Sequence, residues 1–347
     1  MKTISNISEQ PGHVNLSARV FSLALILALT LFTEKQVKAQ NYTINYFDVN
    51  LDAQALAYYP PQKCFVVSSM KEGQLGYIDS EGRYKLFLKD DKLIGATGLK
   101  VRDNFLYVLT GNSTLTSKGD PAFGKDIKLI KINLLDKTIV STYELDKLYS
   151  GPHYITDLVI DNEGIVYITD AFCPVIYKVS PNGVTSILLT DKRLNSQNNQ
   201  NKPLTYHKNG YLLVAVNSDI LKIDLTNNNS ISRVFVEEGF DDINSIHFTT
   251  NYLLALSEGG DSRKVHILNS SNSWASANIL RTDIWNYNSP VNLDFFKNKI
   301  FVLDANIEKV SDADFSVRVI DLKKYPKKKG KKGRVVAGDI SVARKGF

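Results

Sequence analysis

The chain has 347 residues, of which 43% are hydrophobic and 22% charged, enough apolar side chains to bury a large core. It has no heptad repeat, and beyond residue 39 no apolar run is long enough to span a bilayer, which excludes a coiled coil and a helical transmembrane domain. The formal net charge is +6 at pH 7, and it is unevenly distributed along the chain.

The N-terminus has the pattern of a signal peptide. An apolar run of 13 residues, 20–32, follows Arg19, and Val37-Lys38-Ala39 has the small-x-small form of a signal-peptidase site. Thirteen residues are too few for a transmembrane helix but suit the apolar region of a signal peptide. We therefore predict that residues 1–39 are a signal peptide and that the mature protein is secreted or periplasmic. An uncleaved anchor is the alternative.

Residues 42–49, YTINYFDV, are predicted to form a strand that precedes the first repeat. Alternation over eight residues indicates one buried face. The last repeat described below supplies only about three strands before Leu322. We predict that the N-terminal strand completes the last blade and closes the ring, within a domain of residues 40–322. A frayed N-terminal arm is the alternative.

Short apolar strands separated by Asn, Gly and Pro turns recur along the rest of that domain. The sharpest unit, ITDLVIDNEGIVYITDAFCPVIYKVSPNG, contains three strands and leads into a fourth. The six units begin at Leu56, Thr97, Ile155, Pro203, Ile243 and Val291. A spacing of roughly 40 to 60 residues is expected for four-stranded blades. The sequence therefore predicts an all-β fold, a six-bladed β-propeller with four antiparallel strands per blade.

The C-terminus is a basic tail. Residues 323–347 contain ten Lys or Arg and one Asp, whereas residues 40–322 contain 28 basic and 33 acidic residues. A block of like charge with Pro and Gly opposes compaction, so we predict that 323–347 are disordered. The tail is a candidate for attachment to an anionic surface polymer, and a solvated end without a partner is the alternative. It lacks interleaved aromatic residues, so specific nucleic-acid recognition is not expected.

Motifs for phosphate-binding loops, dinucleotide binding, serine nucleophiles and paired-cysteine metal sites are absent from the sequence. The two cysteines, Cys64 and Cys173, fall in blades that are not neighbours. We expect two separate buried thiols and no disulfide.

The mouth of the central channel is where propellers bind ligands. The inner strands begin with polar residues, which are candidate binding residues: Gln54, Thr97, Thr156, Lys202, Asn244 and Asn292. Nearby carboxylates are candidate ligands of a hard cation: Asp157, Asp170, Glu258 and Asp304. His153 and Asp157 are candidate catalytic residues, because a histidine at the rim can act as a general base. For each residue the alternative is a local hydrogen bond that caps a strand or turn.

The units DLVIDNEGIVYITDAFCPVIYKVSPNG and PLTYHKNGYLLVA resemble the regucalcin/gluconolactonase (SMP-30) family and the related NHL-repeat propellers. The resemblance extends from about Leu51 to Leu322 and implies a six-bladed propeller. It also implies where a calcium ion would lie, because the family's lactonases hold calcium with a Glu, two Asn and an Asp. The positions that correspond here are Gln54, Thr156, Lys202 and Asn244. Calcium is the one cofactor that the resemblance suggests, and we expect calcium-dependent lactonase activity to be weak or absent.

Three functions fit these observations. The first is a secreted or periplasmic propeller that binds a small molecule or an extracellular partner at the channel mouth without catalysis. The second is a hydrolase or lyase of the gluconolactonase type with a rearranged site built on His153, Asp157, Asp170 and Asp304. The third is an interaction platform that uses the long loop from Asn112 to Lys125 in the second blade.

Overall fold

The computed structural model describes residues 42–47, 53–69, 73–112, 124–197, 200–259, 262–285, 290–305 and 314–321. They lie in one compact unit that starts at residue 41. Within these ranges no helix is long and apolar enough to cross a membrane. The predictions for the signal peptide, the basic tail and most of the loop from Asn112 to Lys125 concern residues outside the described part of the chain.

Twenty-five strands account for most of the described residues. After β1 (Tyr42–Phe47), the first sheet contains β2 (Leu56–Tyr59), β3 (Cys64–Ser68), β4 (Gln74–Ile78) and β5 (Tyr84–Lys89). The second contains β6 (Ala96–Arg102), β7 (Phe105–Thr110), β8 (Lys128–Asn133) and β9 (Thr138–Glu144). The third contains β10 (Ile155–Ile160), β11 (Val166–Asp170), β12 (Val175–Val179) and β13 (Thr185–Thr190), followed by a short 3-10 helix at Lys192–Leu194.

The remaining strands form three more sheets. The fourth sheet contains β14 (Leu204–His207), β15 (Tyr211–Val216), β16 (Asp219–Asp224) and β17 (Ser230–Arg233). The fifth contains β18 (Phe235–Val236), β19 (Asp242–Phe248), β20 (Leu253–Gly259), β21 (Ser262–Asn269) and β22 (Ser276–Trp285), with β18 parallel to β22. The last joins β1 to β23 (Pro290–Phe296), β24 (Lys299–Ala305) and β25 (Asp314–Asp321).

The fold is an all-β propeller with antiparallel four-stranded blades, as the repeats predicted, and β18 is an additional parallel strand at the edge of the fifth sheet. The first five sheets are each built from strands consecutive in the chain. Apolar side chains fill the space between neighbouring blades. Between the first and second blades, for example, Tyr59 and Leu75 pack with Leu106, Val108 and Ile130, all fully buried. Burial of this kind is the main stabilising term in a radial array of sheets.

The last sheet combines the two ends of the described chain. In it β1 pairs with β25 in antiparallel register, from Tyr42 opposite Val319 to Phe47 opposite Asp314. Ile44 of β1 is 5% exposed and belongs to a cluster that also contains Val317 of β25 and Leu56 of the first blade.

A β-bulge recurs near the start of four inner strands, those that lie nearest the channel. The extra residue is Thr97 in β6, Thr156 in β10, Asn244 in β19 and Val291 in β23. A bulge re-aims the side chain that it inserts. The inner strands of the first and fourth blades have no such shift, and in the fourth blade the pairing begins only at Leu204.

Each inner strand has one edge without a strand partner. Side chains of the neighbouring blade accept hydrogen bonds from some of the backbone N–H groups on that edge. The backbone N–H groups of Leu204, Phe248 and Tyr58 donate to Asp157 Oδ2 (3.0 Å), Thr205 Oγ1 (3.1 Å) and Asp294 Oδ2 (2.7 Å), respectively. A buried N–H without an acceptor would be costly. Several polar residues of the channel therefore also join one blade to the next.

Cys64 and Cys173 are both buried free thiols. Burial raises the pKa of the Cys64 thiol to about 11, so it stays protonated and packs as a small apolar residue.

Candidate functional site

A small polar cavity of about 30 Å³ lies at the end of the channel where the inner strands begin. Its lining is mostly amide, hydroxyl and carboxyl groups: Gln54, Thr97, Tyr154, Thr156, Asp157, Asn201, Pro203, Asn244, Ser245, Val291 and Asn292. This is enough room for one or two ordered water molecules. A ligand of metabolite size would therefore lie across the mouth and send one polar group into the cavity.

The bulges explain why polar side chains meet at this point. Thr97, Thr156 and Asn244 are the inserted residues of three different blades, and all three line the cavity. Gln54 and Asn292, the other two predicted binding residues of this set, line it as well. The polar starts of the inner strands were thus sufficient to locate five of the six. Asn201 and Tyr154 were missed, because the prediction took one binding residue at the start of each inner strand, which was Lys202 or Thr156 in these two blades.

Asp157 is the one carboxylate among the described residues that lines the cavity. Its Oδ1 accepts a hydrogen bond from the backbone N–H of Leu158 (2.9 Å), and its Oδ2 accepts the bond from Leu204. Burial raises the pKa of Asp157 to about 6, against the opposing effect of Lys100. A carboxyl group whose pKa is close to neutral can hold or release a proton under physiological conditions.

Thr97 has a polar atom that no protein group satisfies. Its Oγ1 is buried and has no hydrogen-bond partner among the described residues, while the residue lines the cavity. Buried hydroxyl groups usually have a partner, either protein or water. The hydroxyl of Thr97 is therefore a place where water or a ligand atom would bind.

Asn244 is held in one orientation by a neighbouring strand. Its Nδ2 donates to Glu258 Oε2 at 2.9 Å, and Glu258 also forms an ion pair with Arg263. Because the amide nitrogen is used in this way, the amide oxygen is the atom that Asn244 offers to the cavity. Glu258 is thus committed to an arginine and an amide, and it does not line the cavity.

A second polar layer lies further along the inner strands. Lys100, His247 and Asp294 each come two or three residues after a residue at the mouth, and alternate residues of a strand share a face. Lys100 Nζ lies 3.6 Å from Asp294 Oδ1. Burial, and then the charge of Lys100, lower the pKa of His247 to about 3, so this imidazole is neutral. This layer was not predicted from the sequence, although the alternation of polar residues on the inner strands would have located it.

Lys202 was expected at the channel mouth, but it does not line the cavity. It is 1% exposed, and its Nζ donates to the backbone carbonyl oxygens of Asp170 (2.6 Å) and Cys173 (2.8 Å). Lys202 precedes the paired part of β14, and its side chain extends into the third blade. Burial lowers the pKa of Lys202 to about 8. Asn201 and Pro203 take its place at the cavity.

His153 is buried in an ion pair. Its Nδ1 lies 2.8 Å from Asp170 Oδ2 and its Nε2 lies 3.0 Å from the carbonyl oxygen of Tyr149. Both neighbours are acceptors, so both ring nitrogens donate and the ring is an imidazolium. Burial opposes this charge, but the hydrogen bond and the negative charge of Asp170 outweigh it and raise the pKa of His153 to about 10. His153 is 2% exposed and does not line the cavity.

The carboxylates predicted as metal ligands are not brought together. Asp170 is fully buried beside His153, and Glu258 is paired with Arg263. Asp304 lies in β24, where it is opposite Pro290 and Ser316. Only Asp157 of the four lines the cavity.

The donors at the mouth do not fit the calcium site that the resemblance implies. Among the described residues they comprise several amide and hydroxyl groups but a single carboxylate, both of whose oxygens already accept backbone hydrogen bonds. Calcium affinity depends on the number and charge of the oxygen ligands. Asp157 is therefore the one charged side chain that lines the cavity among the described residues.

Comparisons with known proteins are consistent with this fold. No protein-family model matches the sequence, and no curated protein matches it significantly. A gluconolactonase of Xanthomonas campestris has a similar structure, with a TM-score of 0.56 and 12% identity over 81% of this chain and 90% of that one. Virginiamycin B lyase of Staphylococcus aureus matches with a TM-score of 0.51 and 12% identity over 81% of this chain and 100% of that one.

A chain of the nidogen/laminin complex is also similar, with a TM-score of 0.52 and 12% identity over 74% of this chain and 89% of that one. At this level of identity the likeness concerns the fold. The resemblance to propellers of the gluconolactonase type, first seen in the repeat sequences, is confirmed.

Proposed function

We propose that this chain is a hydrolase or lyase that acts on a small polar substrate at the mouth of the propeller channel. The observation that carries the proposal is Asp157, a carboxylate in the lining of the cavity, whose pKa burial raises to about 6. Structural similarity to a gluconolactonase and to virginiamycin B lyase supports the same class of activity.

The roles of the residues follow from their chemistry. Asp157 would take a proton from water or substrate, since its pKa allows the ionised form at neutral pH. Thr97 Oγ1 and the amide groups of Gln54, Asn201 and Asn292 would hold a hydroxylated substrate by hydrogen bonds. The small volume of the cavity restricts the reacting group to one polar substituent. The family's calcium has no part in this proposal, because its ligand set is not retained.

A non-catalytic binding site is the second candidate. The observation in its favour is that both oxygens of Asp157 accept backbone N–H groups, from Leu158 and Leu204. On this account Asp157 joins the third and fourth blades, and the polar mouth binds a small molecule or an extracellular partner without turnover. Ligand binding at similar affinity in the wild type and in Asp157→Asn, without turnover in either, would favour it.

The test is hydrolysis of a panel of aldonolactones and cyclic esters by the purified protein, with calcium and with a chelator. We expect turnover that does not require calcium and that Asp157→Asn reduces by at least about 100-fold, the scale of acid–base catalysis. Asp103→Asn is the matched control, since Asp103 is 84% exposed, and it should have wild-type rates. Micromolar calcium binding linked to turnover would contradict the metal-independent mechanism, and wild-type rates in Asp157→Asn would remove Asp157 from it.

We also propose that the ring has six blades and that β1 closes it. The pairing of β1 with β25 supports this, as does the packing of the last sheet on the first. Aromatic rings contribute at that junction: Tyr58 stacks on Phe301 at a centroid distance of 4.8 Å, and Phe65 meets Phe301 edge-on at 4.9 Å.

Secretion or export to the periplasm is the localisation that we propose, on the pattern of residues 1–39. N-terminal sequencing of the protein recovered from its natural host would test it. A mature chain that begins near residue 40 would support the proposal, and one that begins at Met1 would contradict it.

A further inference from the structure

A buried cluster of donor side chains lies in the third blade, away from the lining of the channel cavity. It contains His153, Asp170, Cys173 and Tyr177, each no more than 4% exposed. One donor atom from each of His153, Asp170 and Cys173 lies within 4.8 Å of the others, and no other group of three or more His, Cys, Asp or Glu residues comes together in this way within the described ranges. The proposed function does not use these residues.

The donor atoms of these four residues lie close together. His153 Nδ1 lies 2.8 Å from Asp170 Oδ2, 3.5 Å from Cys173 Sγ and 3.1 Å from Tyr177 Oη, and Tyr177 Oη lies 3.1 Å from Asp170 Oδ2. In a tetrahedral zinc site with ordinary bond lengths, neighbouring ligand atoms are about 3.3–3.6 Å apart. Shifts of a few tenths of an ångström would therefore make room for the ion.

The groups around the cluster hold two of these ligands in the orientation that a metal requires. The second ring nitrogen of His153 donates to the carbonyl oxygen of Tyr149 at 3.0 Å, which leaves Nδ1 directed at the cluster. The second oxygen of Asp170 accepts backbone hydrogen bonds from Tyr154, Phe172 and Cys173, which leaves Oδ2 as a single ligand atom. Such outer partners are typical of metal-binding histidines and carboxylates.

The charges of the ligands suit a divalent cation. Zinc binds a neutral imidazole nitrogen and a thiolate, so it would displace the protons on His153 Nδ1 and Cys173 Sγ, and both protons would leave to solvent. The thiolate and the carboxylate of Asp170 would then neutralise the two positive charges of the ion, which avoids the burial of an uncompensated charge.

We propose that His153, Asp170 and Cys173, with the Tyr177 hydroxyl as the fourth ligand, form a structural zinc site. A thiolate with an imidazole and a carboxylate is a ligand set that zinc accepts, and four protein donors leave no open position for catalysis. The ion would link four parts of the third blade, namely the loop before β10, strand β11, the loop between β11 and β12, and strand β12. These links would stabilise the blade.

The test uses the purified full chain, stripped with a chelator and then given zinc or cobalt alone. We expect one zinc ion per chain by elemental analysis after gel filtration, and a higher melting temperature than in the stripped protein. Cobalt in place of zinc should produce the thiolate-to-cobalt charge-transfer band and the intense visible bands of a tetrahedral site. Absence of the charge-transfer band in the wild type would overturn the proposal without any variant.

Cys173→Ser and Cys64→Ser are matched variants, since both replace a buried thiol. Cys173→Ser should lose the charge-transfer band and the rise in melting temperature, whereas Cys64→Ser should keep both. A band that persists in Cys173→Ser, or that disappears in Cys64→Ser, would contradict the assignment. If Cys173→Ser does not fold, His153→Gln provides the second test, because the cobalt spectrum should then lose its tetrahedral character.

Discussion

At the scale of single residues, burial changes the pKa values of the charged side chains in and near the channel. Asp157 lies in the third blade and the side chain of Lys202 extends into it, yet only Asp157 lines the cavity. The pKa of Asp157 is raised to about 6 and that of Lys202 is lowered to about 8, both mainly by burial. Each side chain is retained at a cost that its hydrogen bonds offset.

We predict a pH dependence of stability and activity that comes from Asp157. Because its folded-state pKa of about 6 exceeds the ordinary value of 3.8, its contribution to stability is fully present below about pH 4 and is lost as the pH rises through 6. Between pH 4 and 7 the free energy of unfolding should fall by up to about 3 kcal/mol more in the wild type than in Asp157→Asn. Turnover should rise through pH 6 as the base form appears. Urea unfolding and a pH–rate profile measure these effects, and parallel stability curves would contradict the assignment.

The ammonium of Lys202 is predicted to be structural. Replacement by Met removes the donor of two buried carbonyl oxygens, those of Asp170 and Cys173, and should cost about 2–3 kcal/mol in the free energy of unfolding. Lys208→Met, at an exposed position, is the matched control and should change stability by less than about 0.5 kcal/mol. Denaturant midpoints compare them, and equal midpoints would show that the two carbonyls find other donors.

At the scale of elements, the sequence predicted the positions of the strands better than the directions of their side chains. Asn and Gly turns between β-branched runs located the strands of the third blade, because those turns require particular backbone angles: Gly164 and Gly183 have φ of +89° and +86°. The sequence did not predict equally well which side chains face the channel. Four inner strands have a bulge near their start, and one inserted residue reverses the face of the side chains beyond it, which no composition rule marks. Lys202 lies before the paired part of β14, where no alternation fixes the direction of its side chain.

Removal of β1 is predicted to destabilise the whole domain. Without residues 40–50, Ile44 is lost from its buried position, and the β25 edge and Val317 become exposed. The cost should be about 3 kcal/mol or more, which lowers Tm by roughly 6–12 °C in a domain of this size. Removal of residues 1–39 alone is the control and should leave Tm unchanged. If both truncated proteins have the Tm of the wild type, β1 does not close the ring.

At the scale of the whole molecule, charge separates the tail from the propeller. The sequence pI of about 9.0 reflects the basic residues at the C-terminus, since the region between residues 40 and 322 has more acidic than basic side chains. Attraction to an anionic surface is therefore expected to act on residues 323–347 and to weaken as salt is added.

Deletion of residues 323–347 is predicted to leave folding intact and to abolish adsorption to an anionic matrix. The deletion removes ten basic residues and one acidic residue, so the remaining protein should pass through a heparin or phosphocellulose column at low salt. The full chain should be retained and should elute as salt screens the attraction. A chain that lacks only 335–347 keeps the lysine-rich segment, and it should bind like the full chain. Retention of the fully truncated protein on the column would mean that the charge that binds the matrix lies elsewhere. A fall in its Tm would mean that residues 323–347 are part of the folded domain.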